Sequence, residues 1–469
     1  MKRFFPIIWI AASLLISCNR DKPTPDPEPD PKPESKWEAN DKTPRVLSNT
    51  PGVCQLKTVR AADGKIILSW LKPGGGNWDS PRFGYYLYLQ VFNADGSTAF
   101  GADGITVSQQ PTMTYTTDYS LSLAPNGDIL LAYWDTRNDA GREKNEIYLY
   151  RYSQDGTPVW SKDGVRFVTG GNGNAESPSI CVSGSNIYVG THAAYGENST
   201  FQINALDQDG APLWAHNIDL NARTASLRPA PGGDLYVLYN NESYGLDAIR
   251  LNASGNNVWG KAVTVESSAL GDDLFIGEPK ISEDGNDGLF LSYRMLENWA
   301  GYQVFNYLTS SGNALPGAVS CNGENGGDAG AAVLGSRSGK ALVAWVLDEG
   351  LNHFKMMANL FDRSGLPAWG NGITLGRNND WGFSPVAVIP RSDGWILLYG
   401  DCTAWNAAKF MAVKLNDSGE TLWSRQLGPD AFLSSGFSVE YDASNAYIFY
   451  SYDDEDTGKG GMCVLCISL

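Results

Sequence analysis

One pattern recurs along this chain and limits its folding choices more than any other feature: an apolar run, then a turn reading Gly-x-x-x-Trp. It appears as SQDGTPVW (153–160), DQDGAPLW (207–214), ASGNNVW (253–259), DRSGLPAW (362–369) and NDSGETLW (416–423). A sixth copy, NADGSTAF (93–100), ends in Phe100, and a seventh, TSSGNALP (309–316), lacks the aromatic. The turn glycines are Gly96, Gly156, Gly210, Gly255, Gly312, Gly365 and Gly419, at spacings of 45 to 60 residues. A second set of turns interleaves with them: Asp63-Gly64, Asn126-Gly127, Gly184-Ser185, Gly232-Gly233, Asp284-Gly285, Ser338-Gly339, Asp393-Gly394 and Ser444-Asn445. Each joins two short runs rich in Leu, Val, Ile and Tyr, as in SLSLAPNGDILLAYW, and such dipeptides between such runs are strong hairpin signals.

Each unit therefore holds two hairpins, four strands A to D. Continuous apolar runs this short suit strands buried on both faces. Four-stranded antiparallel units repeating at this length predict an all-β protein, a β-propeller whose blades pack face to face around an axis. Eight A–B turns against seven C–D turns leave the last unit, FSVEYDASNAYIFYSY through GMCVLCISL, without a strand D. The segment TPRVLSN (43–49) resembles the D strands GVRFV and AVTV and can supply it, closing the ring and removing an exposed edge. The expectation is eight blades over 43–469; a seven-bladed ring, the alternative, leaves a spare hairpin unit.

The N-terminus carries an address. Lys2 and Arg3 precede an apolar run of 13 residues (4–16), too short for a membrane span, which needs about 20, and right for a secretory signal core. Leu15-Ile16-Ser17-Cys18 resembles a bacterial lipobox, which implies a signal peptide over 1–17 and lipidation of Cys18. Residues 18–42 read as the lipidated cysteine and a tether. Within it DKPTPDPEPDPKPESK (21–36) has proline at alternate positions, favouring polyproline II with a reach of roughly 50 Å at ~3.1 Å per residue. Asn19 follows the cysteine where an aspartate would signal inner-membrane retention, so the expected location is the outer membrane, at the cell surface. Acidic residues exceed basic ones, 52 to 35, which argues against a nucleic-acid partner.

The repeat itself resembles known families. Gly-x-x-x-Trp is similar to the tryptophan-docking motif of quinoprotein-like eight-bladed propellers, a group that includes the outer-membrane assembly propeller lipoprotein. WDTRNDAGREKNEIYLYRYSQDGTPVWSKDGVRFV resembles a repeat of secreted bacterial propellers that starts Trp-Asp-x-Arg. The C–D turns also sit where sialidase-type propellers carry an Asp-box, but the spacing differs by a residue and no arginine triad accompanies it. These resemblances imply architecture. No residue set argues for a bound quinone, and the expected cofactor and metal content is none. Trp160, Trp214, Trp259, Trp369 and Trp423 read as wedges between blades, and Trp70, Trp134, Trp345 and Trp395 as core residues on B strands.

The remaining aromatics fall in loops. The A–B and C–D turns are tight, whereas the B–C and D–A connections, which share the opposite face, read as long and irregular: 71–84, 135–145, 192–199, 240–245, 295–301, 347–352 and 376–384. Long loops gathered on one face of a rigid scaffold are where binding resides. Trp78, Tyr195, Tyr244, Trp299, Trp381 and Trp405 would ring that face, with Asn77, Asn241, Asn298 and Asn406 close by. Flat rings beside amides and carboxylates suit oligosaccharides, and also extended peptides. The expected function is non-enzymatic capture of such nutrients, accessory to a TonB-dependent transporter complex. Two other classes stand beside it. One is a scaffold docking a membrane partner. The other is a polysaccharide lyase using His192, Tyr195, His353, Arg294 and Glu297 for β-elimination. The acidic run Asp453–Asp456 reads as solvated rather than as a calcium site. Cys463 and Cys466, three apart on a strand, point to opposite faces and suit small buried positions rather than one metal.

Overall fold

A computed structural model describes residues 37–75, 83–112, 119–138, 144–169, 174–195, 198–267, 275–276, 279–297, 300–321, 328–404, 407–432, 436–454 and 459–469. These residues form eight separate antiparallel sheets, each with its strands in sequence order. The blades span 54–106, 120–167, 174–220, 222–266, 275–320, 328–378, 383–432 and 437–468. In the fifth, strand A comes in two pieces, Phe275–Ile276 and Lys280–Glu283, both paired with Leu289–Glu297. The only helix among the described residues is one 3-10 turn, Pro231–Gly233. The protein is an eight-bladed propeller, and the seven-bladed alternative falls.

The ring closes as the turn count requires. Arg45–Ser48 joins the last blade as its outer strand, pairing Arg45 with Val464 and Val46 with Cys463. The body also begins earlier than residue 43. Trp37, within the stretch read as tether, is buried between the first and last blades against Phe92, Tyr447 and Phe449. Asn40 N–H donates to the Cys466 carbonyl at 2.8 Å, and Arg425 pairs with Asp41 at 3.0 Å.

The core is eight clusters of buried side chains, one per seam between successive blades. That is why the B strands read as unbroken apolar runs: Ile129–Asp135 is buried at every position because both of its faces are covered. Trp70, Trp134, Trp345 and Trp395 all lie in this core. Cys463 and Cys466 are both buried and point into different seams.

The recurring turn has one structural job. Each turn glycine has φ between 78° and 86°, and at Gly156, Gly210, Gly255, Gly312 and Gly419 the missing side chain makes room for an aromatic of the preceding blade. A Cβ on Gly210 would lie 3.1 Å from the Trp160 indole, on Gly255 3.1 Å from Trp214, and on Gly419 3.1 Å from Trp369. The indole N–H groups then donate into the same turns: Trp160 to Gln208 O at 2.9 Å, Trp214 to Ala253 O at 2.9 Å, Trp259 to Ser310 O at 3.1 Å and Trp369 to Asp417 O at 3.0 Å. Phe100 fills the seat before Gly156, and Leu315 the one before Gly365. Trp423 has no following C–D turn to enter and lies under the Arg425 guanidinium, 4.6 Å from the ring centre.

Strands A face the axis. Around the fourth to eighth of them lies an axial cavity of about 600 Å³.

Candidate functional site

Of the six ring positions expected on the loop face, Trp78, Trp299 and Trp405 lie outside the described residues, as do Asn77, Asn298 and Asn406. Tyr195 ends strand Asn186–Tyr195 and pairs through its backbone with Asn198, which corrects the expected loop over 192–199. The same holds in the fifth blade, where pairing continues to Glu297 and Ala300 in place of the irregular loop expected over 295–301. In both, backbone pairing runs out to the tip and leaves two residues between the strands. Tyr244 sits at φ 62° in the turn after Leu235–Asn241 and is half-buried. The Asn241 amide shapes that turn, accepting from Gly245 N–H at 2.9 Å and donating to Asp247 at 2.9 Å.

Trp381 has half of its surface in solvent. It lies between strands Ile373–Asn378 and Phe383–Arg391, at the seam of the sixth and seventh blades. Asn378 builds its loop. Its side-chain oxygen accepts from the backbone N–H of Asp380 at 2.9 Å, Trp381 at 2.9 Å and Gly382 at 3.2 Å. Its amide nitrogen donates to Asp401 at 2.7 Å and to Cys402 O at 2.8 Å. A single asparagine thus holds the backbone that presents the indole.

A second loop meets the first. Strand Lys340–Asp348 turns through Gly350–His353 into Phe354–Asp362, with His353 N–H donating to Gly350 O at 3.0 Å. Its two central residues, Leu351 and Asn352, have φ 53° and 62°, the mirror-image turn that normally takes Asn and Gly. Leucine in the left-handed region is uncommon and costs on the order of 1 kcal/mol. That leucine is 93% exposed. Backbone strain at a fully exposed apolar side chain is the kind of local cost that gathers at ligand clamps. The loops touch where His353 Nδ1 meets Asn379 Oδ1 at 3.1 Å, and Gly382 lies against the Phe354 ring. Glu349 takes an ion pair from Lys355 and faces Arg377 at 3.7 Å. The result is a corner with two projecting apolar groups, Leu351 and Trp381, and a rim of imidazole, amide, carboxylate and guanidinium.

The residues considered for elimination chemistry are spread over three blades, His192 with Tyr195 in the third, Arg294 with Glu297 in the fifth and His353 in the sixth. His192 lies on strand B of the third blade, its ring edge-on to Phe201 at 5.4 Å, with burial pushing its basicity down. Arg294 lies on strand B of the fifth blade and His353 in the loop of the sixth. Among the described residues no three His, Cys, Asp or Glu side chains gather as a metal site would require.

The Trp-Asp-x-Arg segment also has a place. Asp135 is fully buried at the end of its strand, and Arg137 clasps it, Nε to Oδ1 at 2.9 Å and Nη2 to Oδ2 at 2.6 Å. The guanidinium stacks 3.6 Å from the Tyr148 ring centre and donates to Tyr150 at 2.8 Å. Burial alone would lower its basicity; the Asp135 hydrogen bonds outweigh that and raise it. This cluster ties the base of the second blade's B–C connection to its own sheet.

No family model matches the chain, and no curated protein matches it. Solved structures do. Polysaccharide lyase Uly1 is 9% identical over 78% of this chain and 88% of its own, with a TM-score of 0.45. A puromycin hydrolase is 13% identical over 90% of this chain but only 62% of its own, with a TM-score of 0.44. A protein of unknown function from Bacteroides caccae is 13% identical over 64% and 93%, with a TM-score of 0.29. At such identity and TM-score none of them bears on what this chain binds or transforms.

Proposed function

We propose that this propeller is a binding protein, held at the outer-membrane surface by a lipid on Cys18 and a proline-rich tether, and that it captures oligosaccharide. The observation that carries this reading is the corner at the sixth and seventh blades. Leu351, in a strained turn, and Trp381, on an asparagine-built loop, project beside the His353–Asn379 contact and the Glu349–Arg377 pair. An indole offers a flat face for the C–H side of a pyranose, and the amide and charged rim offers partners for hydroxyls. An extended peptide would use the same mixture and is the second ligand class. In this reading the other ring positions, Trp78, Tyr195, Tyr244, Trp299 and Trp405, extend the surface around the loop face, and the captured ligand passes to a TonB-dependent transporter.

The test is a glycan and peptide array on residues 37–469, with ultraviolet absorbance followed on any uronate polymer. Retention without turnover, lost in Trp381→Ala, supports capture, and the retained class names the ligand. Growth of an unsaturated-product absorbance would make the protein a lyase. Silence on both would favour a scaffold whose face docks a membrane partner.

A further inference from the structure

We infer that the axial channel is a second binding site, for a small organic anion with an apolar body. The cavity of about 600 Å³ is walled by the A strands of five consecutive blades. Ile281, Val333, Val386, Val388 and Val439 supply an apolar wall, and Arg228 and Lys280 supply charge. That volume is in the range of small-molecule sites.

The protein as a whole carries a formal net charge of −17, so its outer field repels anions. Yet the channel wall is cationic. In strand register Lys57 stands opposite Ser69 and Lys280 opposite Ser292, the same level in the first and fifth blades, which face each other across an eight-membered ring. At that level the other six blades present Ser226, Val333, Ala387, Ser438, Ser120 and Ser179, none charged. Lys57 lies over the Tyr119 ring at 5.2 Å. Neither Lys280 nor Arg228 has a carboxylate within ion-pair distance among the described residues. The guanidinium of Arg228 donates to the Leu227 carbonyl at 2.8 Å, which leaves most of its donors for a guest.

One acid shares this depth. Glu440 stands opposite Tyr447 as Arg228 stands opposite Tyr236, which puts the two on facing blades. It accepts from the Thr58 hydroxyl at 3.0 Å, and burial pushes its carboxyl up to about 7, so it offsets Arg228 and Lys280 only in part. Other ionisable groups on the A strands lie nearer the mouths: Glu176 on the loop side, and Glu283, Arg337, Arg391, Tyr441 and Arg60, which faces Asp442 at 3.6 Å, on the turn side. A guest with a carboxylate between Arg228 and Lys280 and a hydrocarbon face on the valines would satisfy both halves of the wall. The site is separate from the Leu351–Trp381 corner, so each can fail without the other.

Calorimetric titration of the full chain in detergent with benzoate, phenylacetate, benzamide and inorganic sulfate tests this. The two aromatic carboxylates should bind, with benzamide and sulfate at least tenfold weaker. Arg228→Gln and Lys280→Gln should each weaken the carboxylates tenfold or more, and Trp381→Ala should leave them unchanged. Lys280 is exposed to the channel, so Lys280→Gln keeps the test alive should Arg228→Gln fail to fold. Equal binding of benzamide, equal binding of sulfate, no binding of any carboxylate, or full affinity in Lys280→Gln would each overturn the inference.

Discussion

If the Gly-x-x-x-Trp turn is a seam device, its two ends must be energetically coupled, and Trp160 with Gly210 is the pair to test. Trp160 is 7% exposed, and its indole packs where a Gly210 side chain would stand. Trp160→Ala removes a buried aromatic and leaves a cavity, a loss of about 3–5 kcal/mol. Trp160→Phe keeps most of the burial and loses the indole hydrogen bond, worth about 1 kcal/mol. The Gln208 carbonyl is not orphaned by that change, because Arg151 Nη1 also donates to it at 2.7 Å, so the Phe variant should sit near the low end. Gly210→Ala meets two obstacles: φ of 84°, and a Cβ 3.1 Å from the indole. Together these should cost about 2–3 kcal/mol. Once Trp160 is alanine the second obstacle is gone, and Gly210→Ala should cost only about 1 kcal/mol, the backbone part. Urea unfolding of the four members of this cycle, followed by circular dichroism because tryptophan fluorescence changes with the mutation, gives the coupling directly. Equal cost of Gly210→Ala in both backgrounds would refute the seam argument, as would a Trp160→Ala variant within about 1 kcal/mol of the parent.

Four other outcomes are expected. Asp135→Asn strips the counter-charge from Arg137 in a site where the carboxylate is fully buried, and should lower unfolding stability in urea by about 3 kcal/mol. Glu440 has its carboxyl raised above the usual 4.5, so its neutral form favours folding at low pH and that contribution fades as pH climbs through about 7. Glu440→Gln should therefore remove a decline of about 2–3 kcal/mol from the stability–pH curve between those limits, and an unchanged curve would sink the assignment. Trp381→Ala should leave thermal stability within about 0.5 kcal/mol of the parent while abolishing ligand retention, since half the indole is in solvent. Removing residues 37–49 takes away Trp37 and the closing strand and bares the edge of Lys459–Ser468; concentration-dependent light scattering should appear, and its absence would show that the ring does not depend on that strand.

Architecture was legible because it repeats. Seven turn glycines and eight hairpin turns announce the blades, and the missing eighth C–D turn announces that the N-terminus must close the ring. What escaped was local. Two loops read as irregular, 192–199 and 295–301, are hairpins, because residues such as Glu, Asn and Gly at strand tips look like loop formers although backbone pairing runs through to them. Trp37 was hidden by the prolines before it: nothing in a lone aromatic after a tether says that it turns back into a seam. The candidate site was legible only as a set of loop aromatics. Trp381 was visible, while Leu351 was not, since no sequence rule marks a leucine that sits in a mirror-image turn. The preceding asparagine was the available signal for the Trp381 loop, as side-chain capping of two or three following N–H groups is what Asn does in turns.

Chemistry in such a ring can live only where the repeat leaves a position free. Each repeated position is already committed: the turn glycines to the aromatic seats, the B strands to the seams, the A–B turns to reversing the chain. A residue held by these demands cannot also vary to suit a ligand. Specificity must then come from positions where one blade departs from the other seven. Lys280 replaces a serine, alanine or valine in six equivalent blades, with Lys57 facing it as the single other exception. Leu351 takes a turn position that favours asparagine or glycine. One sets a cation among small side chains with no carboxylate at ion-pair distance among the described residues, and the other strains the backbone under an exposed side chain. Their most direct explanation is a partner outside the chain. Substituting Lys280 by serine, and Leu351 by glycine, should on this view raise stability slightly while weakening binding, which is the opposite of what either change would do if its role were structural.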